Sequence, residues 1–439
     1  MKITMAGTGY VGLVTGVCLA SLGNEVTCLD VDEEKIEMLK SGKSPIYEPG
    51  LEELMIENKE RLNFTINYKK AYKNAEIIFI GVGTPERSDG TANMDYVHTT
   101  VKQIAESIEN DVLVVIKSTV PIGTNNEIEK FLNENVKKGI KVRVASNPEF
   151  LSEGTAIKDT LYASRIIIGT EDKIAEKILK ELYLPLTRKP YNVPLISMDR
   201  CSAEMVKYAS NNFLALKISY INEIANFCES VGADIQNVTL GMGYDTRIGN
   251  KFLNSGIGYG GSCFPKDTKA IHWLSKNLNC ELKTINACID VNKNQKLTLF
   301  NKIKKLLYLK DLEVAVLGAT FKPNTDDLRE APSIDNIELL LEYGANVTVY
   351  DPIGLPNLKR IFKDRINYAD NIDDAIKDKE AVMIMTEWEE IKNYDLNNYI
   401  KLMSKPNIFD GRNCYDLNDI RKTNIYYVSI GRKEVGSLK

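Results

Sequence analysis

Short apolar runs rich in Val and Ile recur through the first part of the chain, and each is followed by a stretch whose apolar residues fall three or four apart. KITMA (2–6), NEVTCLD (24–30), EIIFIGVGTP (76–85), DVLVVIKSTVP (111–121), KVRVASNPEF (141–150) and SRIIIGT (164–170) predict strands. Segments such as NMDYVHTTVKQIAESIE, between two of those runs, carry helical periodicity. Continuous apolar strands alternating with helices predict a parallel, doubly wound α/β sheet covered on both faces.

The pattern starts again near Asp311. EVAVLGATF predicts a strand entering a turn, APSIDNIELLLEYG a helix, ANVTVYDP a further strand, and AVMIMTEW (381–388) extends the second sheet. The segments SLGNEVTCLD (21–30) and EYGANVTVYD (342–351) share a glycine, a strand and a terminal Asp, a weak internal repeat. Between the two halves, DRCSAEMVKYASNNFLALKISYINEIANFCESVG (199–232) keeps apolar residues at helical spacing for about eight turns. It predicts one long central helix, a common place for a dimer interface. The expected fold is two Rossmann-like doubly wound domains joined by that helix. The expected division is 1–197 for a nucleotide-binding domain, 198–300 for a central helical region, and 301–439 for a second nucleotide-binding domain.

Composition narrows the classes without naming one. A chain of 439 residues with 44% hydrophobic and 26% charged residues is an ordinary globular protein too long for a single core. Its net charge of −4 argues against nucleic acid as a partner, and an anionic ligand needs locally placed Lys, Arg or main-chain N–H groups. The most apolar early run, GYVGLVTGVCLASLG, is broken by glycines and too short to span a bilayer, so no membrane association is expected. The opening MKITMAGTGYVG lacks the organisation of a signal peptide, and a cytoplasmic location with reduced thiols is the expectation. The eight cysteines include no CxxC pair, and no metal site is expected.

Gly7, Gly9 and Gly12 form GxGxxG between a predicted strand and a predicted helix. Such glycines allow a tight turn and a close backbone approach to a pyrophosphate at the helix N-terminus. Asp30 ends the next strand at the spacing expected of a ribose-binding carboxylate, which favours NAD over NADP. Thr84, Ser118 and Thr119 follow apolar strands, where they either line a cofactor crevice or simply end strands and cap helices.

The stretch GYGGSCFPKD (258–267) raises a chemical question. Alcohol dehydrogenation needs no nucleophile, whereas an aldehyde has no hydroxyl from which hydride can leave. A thiolate solves this by forming a thiohemiacetal that gives up hydride and becomes a thioester. Cys263 suits that role, with Lys266 able to favour the thiolate and Asp267 able to act as acid or base. The alternative is a buried, inert thiol beside a turn. The two histidines, His98 and His272, lie in no recognisable base motif.

In order along nearly the whole chain, GTGYVG, GVGTP, STVPIGT, NPEFLSEGTA, SAEMVKYASNNFLALKISYINE, DTRIG, FLNSGIGYGGSCFPKD, FKPNTDDLRE, VYDP and DGRN resemble the nucleotide-sugar 6-dehydrogenase family. The resemblance implies four-electron oxidation of a sugar C6 hydroxyl to a carboxylate, with two NAD molecules used in succession; from its long central helix the chain is expected to form a homodimer. It makes Cys263 the nucleophile and places Lys207 and Asn211 at the oxygen that becomes negative in the transition states. Asp267, with Thr119, resembles the acid that holds a water, while Glu149 and Glu153 resemble the acids of thioester hydrolysis and cofactor contact. Whether Lys207 or a water linked to Asp267 takes the first proton stays open.

The same resemblance assigns Tyr10, Val11, Lys35, Lys266 and Arg329 to the cofactor. It assigns Phe150, Leu151, Phe252, Leu253, Asn254, Ser255, Gly256, Gly260 and Lys322 to the substrate, with Arg412 a weaker candidate. Arg247 resembles an arginine that reaches a neighbouring subunit's substrate. The GGSC–PKD loop differs from the GGHCIPVDP type of UDP-N-acetyl-sugar enzymes, and GDP-mannose enzymes typically carry Leu at the position of Phe264. UDP-glucose is therefore the expected substrate, GDP-mannose second and a UDP-hexosamine third. Two rival readings are a catalytically silent nucleotide-sugar sensor and a two-electron β-hydroxyacid dehydrogenase.

Overall fold

A computed structural model describes all residues, Met1–Lys439, and divides them into two compact units, Met1–Ser210 and Asn211–Lys439. The helix Arg200–Val231 contributes its first turns to one unit and the remainder to the other. No helix is long and apolar enough to cross a membrane.

The first unit is built on eight strands: β1 (Lys2–Ala6), β2 (Glu25–Leu29), β3 (Leu62–Thr65), β4 (Ile77–Ile80), β5 (Val112–Ile116), β6 (Val142–Ser146), β7 (Ile166–Gly169) and β8 (Leu195–Met198). They lie in the order β3-β2-β1-β4-β5-β6-β7-β8. The reversal at β1 and β4 is the switch point where an open α/β sheet offers its ligand crevice. Strands β4 and β5 are buried at every position, as their unbroken Ile, Val and Phe content requires of strands covered on both faces.

The sheet is not wholly parallel, as the apolar runs alone suggest: β6 and β7 meet antiparallel through the single pair Ser146↔Gly169. The connection between β6 and β7 carries the short helix Ala156–Leu161, and apolar content does not encode the direction in which the chain returns to the sheet.

The second unit carries an all-parallel sheet of β9 (Glu313–Leu317), β10 (Asn346–Tyr350), β11 (Asn367–Tyr368), β12 (Ala381–Ile384), β13 (Asn407–Asp410) and β14 (Tyr426–Val428). Their order, β11-β10-β9-β12-β13-β14, repeats the switch-point arrangement of the first sheet. The internal repeat seen in the sequence is therefore topological.

Its terminal acids differ in environment. Asp30, after β2, is half-buried. Asp351, after β10, is 1% exposed. Asp351 Oδ2 accepts from Ala319 N–H (2.6 Å), Thr320 N–H (3.1 Å), the Thr320 hydroxyl (3.2 Å) and Trp388 Nε1–H (3.1 Å). Its Oδ1 accepts from Ile353 N–H (3.0 Å) and Gly354 N–H (2.6 Å). Every acceptor position of this carboxylate is thus engaged by its own fold.

Candidate active site

In the first unit the glycine motif does what its residue types permit. Gly7 has φ +96, a conformation L side chains rarely adopt, and a Cβ on Gly12 would overlap the Gly7 carbonyl oxygen. Gly9 faces open space and is the N-cap of the helix Tyr10–Ser21, whose first N–H groups receive no side-chain cap. An anion can take that place. Tyr10 and Val11 are half-buried within the motif, and the Tyr10 hydroxyl donates to Tyr47 O (2.7 Å).

Asp30 Oδ2 accepts from Thr8 N–H (2.8 Å) and the Thr8 hydroxyl (2.6 Å), while Oδ1 accepts from the amides of Val31 (2.8 Å) and Asp32 (3.2 Å). Burial opposes its ionisation, but the Thr8 bonds and the Lys35 charge outweigh it and hold the carboxyl below its ordinary range. Lys35 itself lies 3.9 Å from Asp32. The Thr84 hydroxyl donates to Thr119 O (2.9 Å), which ties the loops after β4 and β5 together. Glycine turn, uncapped helix start and ionised acid together fit a dinucleotide.

The loop after β6 holds Glu149, Phe150 and Leu151, with half-buried Glu153 beyond them. Glu149 lies in a loop and Glu153 in a turn, neither on a helix surface. Glu149 Oε1 accepts from Lys207 Nζ at 2.7 Å, with side-chain exposures of 5% and 4%. Its Oε2 accepts from Leu151 N–H (2.7 Å). Phe150 lies beneath the Arg165 guanidinium (3.6 Å to the ring centroid) and 5.6 Å from Lys207 Nζ. The ion pair is buried, so Lys207 is not the solvated helix lysine its residue type suggests.

Two acids that sequence reasoning passed over hold these loops. Buried Glu48 accepts from the amides of Gly154 (2.6 Å) and Ala156 (2.7 Å), fixing the end of the Glu149–Glu153 segment. Buried Glu204 accepts from Gly123 N–H (2.6 Å), Asn125 N–H (2.9 Å) and Asn125 Nδ2–H (2.6 Å), fixing the STVPIGT turn. The available signal was position: Glu204 stands three residues before Lys207, one turn away on the same helix.

In the second unit, Cys263 is the N-cap of the helix Phe264–Asn277, and Pro265 occupies its first turn. That placement sets the half-buried thiol at the N–H end of a helix, where the dipole favours a thiolate. The cysteine motif contains no direct sign of the dipole. Lys266, read from sequence as the thiol's electrostatic neighbour, forms an ion pair with Asp267 at 2.5 Å. The other oxygen of Asp267 accepts from Asn211 Nδ2–H (2.7 Å), and the residue is fully buried.

The loop before Cys263 is held by main-chain bonds. Gly261 has φ +81 and donates to Arg329 O (2.8 Å), and a Cβ on Gly260 would overlap the Glu330 carbonyl oxygen. Gly256 N–H donates to Asn222 Oδ1 (2.8 Å), Gly256 O accepts from Gln295 Nε2–H (2.6 Å), and Asn292 bonds both N–H and O of Tyr259. These buried amides were not singled out in the sequence.

Phe252, at φ +63, is exposed and sits 6.4 Å edge-on from Phe264. Leu253 is buried, Asn254 exposed, and buried Ser255 accepts from Asn413 Nδ2–H (3.1 Å). Lys322 Nζ lies 5.5 Å from the Phe321 ring, and Arg329 pairs with Asp327 (2.8 Å). Arg412 donates to Met385 O (2.9 Å), Gly258 O (3.3 Å) and Phe321 O (3.3 Å), so it braces the cysteine loop. Arg247 is highly exposed and chelated by Asp245 of its own chain (2.7 Å).

Three family profiles cover the chain. Residues 1–187 match the NAD binding domain of the UDP-glucose/GDP-mannose dehydrogenase family, 201–294 its central domain and 315–417 its UDP binding domain. The chain is 49% identical over 438 residues to the UDP-glucose 6-dehydrogenase YwqF of Bacillus subtilis, covering 99% of this chain and 98% of that protein. It is 43% identical over 441 residues to the UDP-glucose 6-dehydrogenase of Rhizobium meliloti, covering 99% and 100%. Among solved structures, a UDP-glucose dehydrogenase from the hyperthermophilic archaeon Pyrobaculum islandicum superimposes with a TM-score of 0.90 at 36% identity, covering 98% of each chain.

Proposed function

Because the chain belongs to the UDP-glucose/GDP-mannose dehydrogenase family, we propose that it is the NAD-dependent enzyme that oxidises UDP-glucose to UDP-glucuronate. The observation that carries this reading is Cys263 at a helix N-cap, on the same first turn as Lys266 and Asp267, the latter bonded to Asn211. A two-electron alcohol dehydrogenase has no use for a thiol so arranged.

The roles follow from the surroundings. Bound NAD supplies the hydride acceptor, twice per turnover. The Gly7–Gly12 turn offers its N–H groups to the diphosphate and Asp30 accepts from ribose hydroxyls. Lys207, oriented by Glu149, donates to the C6 oxygen as it gains negative charge; Asn211 and Asp267 serve the same oxygen and the attacking water. After the first oxidation, Cys263 sulfur bonds to the aldehyde carbon and the carbonyl oxygen gains the proton. The resulting thiohemiacetal carbon gives up hydride while its hydroxyl gives up a proton, and the C–O bond becomes the carbonyl of a thioester. Water then adds, the C–S bond breaks, and the thiol, a carboxylate and a proton are released.

The loop Phe252–Gly256, with Gly260 and Lys322, holds the sugar nucleotide through main-chain groups and one cation, which suits an anionic substrate on an acidic protein. We assign Tyr10, Val11, Lys35, Thr84, Thr119, Glu153, Lys266 and Arg329 to the cofactor side. A reduced thiol nucleophile suits the cytoplasm. Incubation of purified protein with NAD and UDP-glucose is expected to give two NADH per UDP-glucuronate formed. One NADH per substrate, or turnover of GDP-mannose in place of UDP-glucose, would overturn the reading.

A homodimer completes the proposal. Phe213 (62% exposed), Tyr220 (49%) and Phe227 (63%) recur every seven residues on the helix Arg200–Val231, so they share one face. Three exposed aromatics in register make an apolar stripe of the kind a second copy covers. Sedimentation is expected to show a dimer that Phe213→Glu/Phe227→Glu converts to monomer; a monomeric wild-type protein would remove this part.

A further inference from the structure

The first unit buries a second lysine that none of the roles above uses. Lys117 follows β5, is 8% exposed, and donates from Nζ to Asn147 O (3.3 Å) and Asn147 Oδ1 (3.0 Å). Asn147 Oδ1 also accepts from the Tyr183 hydroxyl (2.5 Å), and Asn147 Nδ2–H donates to Ile167 O (2.7 Å). Both acceptors of Lys117 are therefore neutral. Glu149, two residues beyond Asn147, lines the same cavity as Lys117, and its charge favours the ammonium while that of Lys207 opposes it.

Glu149 is thus held directly by one ammonium, that of Lys207, and shares its cavity with a second, that of Lys117. An isolated buried ammonium is costly, and a fold that needed only Asn147 and Tyr183 held together could use a neutral side chain. The arrangement makes sense if Glu149 must stay compensated when Lys207 turns to another partner.

The remaining titratable groups around the same cavity do not compete for the role. Burial keeps the Cys18 thiol and the Tyr183 phenol neutral. Asp159 Oδ2 accepts from Ser152 N–H (3.0 Å) and the Thr155 hydroxyl (2.8 Å), and Arg165 is stacked on Phe150.

We propose that Lys117 is a positioning residue: its ammonium is the standing counter-charge that keeps Glu149 in place while Lys207 is engaged by the substrate oxygen. The inference rests on the assignment of Glu149 and Lys207 to the substrate. Burial, only partly opposed by Glu149, pushes Lys117 down to about 8, so its charge is present below that pH and lost above it.

The test compares pH profiles of kcat for wild type, Lys117→Arg and Lys117→Met with UDP-glucose and NAD. Wild type is expected to lose activity as pH rises through about 8. Arginine, which stays charged, moves that limb up by about one pH unit or more. Methionine lowers kcat at neutral pH by at least about tenfold and abolishes the limb, with KM for NAD within about twofold of wild type.

In parallel, the 13Cε signal of Lys117 in lysine-labelled protein without ligands, identified by its absence from Lys117→Arg, is expected to titrate near pH 8. Should Lys117→Met not fold, the wild-type and Lys117→Arg profiles still decide. Superimposable profiles for those two overturn the inference while leaving the enzyme's function intact. Absence of NADH from wild type with UDP-glucose removes the substrate reading itself, and the inference with it.

Discussion

Replacement of Cys263 by Ala is expected to reduce UDP-glucuronate formation by at least ~10³-fold, with binding of UDP-glucose unchanged. The variant isolates chemistry because the loop is braced by bonds that do not pass through the thiol. That work is done by Gly261 N–H on Arg329 O, by Gly260 lying against Glu330 O, and by Asn292 on both sides of Tyr259. Without sulfur the first oxidation has no covalent successor. NADH should then appear at most once per site, while product analysis finds no acid. Calorimetry with UDP-glucose checks binding, and chromatography of the nucleotide sugars checks the product. Acid formed at the wild-type rate would remove the thioester route.

Replacement of Lys207 by Met should affect both stability and rate. Lys207 and Glu149 are 3% and 6% exposed, and loss of the cation leaves a buried carboxylate without its direct partner. Breaking a buried pair in this way typically costs about 3–5 kcal/mol. The nearby Lys117 ammonium places the expected cost at the lower end, about 3 kcal/mol, a fall of roughly 6–12 °C in the melting of a unit of this size. Turnover should fall by at least about a hundredfold, since a donor aimed at developing negative charge is lost. Glu149→Gln in the same chain should restore much of the stability, because no charge is then left unpaired, but none of the turnover. A single Lys207→Met variant as stable and as fast as wild type would contradict both the pair's energetic weight and the role assigned to it.

How much of this was legible in the sequence depended on the kind of signal. The start of each sheet was, because a strand, a glycine turn and a terminal acid recur as one pattern. Strand β3 and strand β8 were not: neither buries a single residue fully, so neither produces an apolar run. The antiparallel meeting of β6 and β7 left no trace either, since apolar content is blind to strand direction.

At the site, Cys263, Lys207 and Asn211 stood out through motif context. Glu48 and Glu204 did not, because an acid that binds main-chain amides has the same letter as one in solvent. Lys266 illustrates the converse: proximity in sequence suggested a thiol partner, whereas its ion pair is with Asp267. Hydrogen-bond partners are properties of the folded chain, and residue spacing reports them only within one turn of a helix or across one tight turn.

The carboxylate of Asp351 has a kinetic consequence. Its position after β10 is that of Asp30 after β2, yet its oxygens are taken by Ala319, Thr320, Ile353, Gly354 and Trp388. Asp30 also bonds its own turn but stays half-buried, whereas Asp351 is 1% exposed and shows no face to a ribose, so the duplicated fold offers one berth for two rounds of reduction. Spent cofactor must therefore depart and a fresh molecule arrive midway through each catalytic cycle. During that interval a free aldehyde would diffuse away or hydrate. A bond to sulfur moors the half-oxidised sugar until the berth is refilled, which makes the enzyme processive although it accommodates one oxidant at a time.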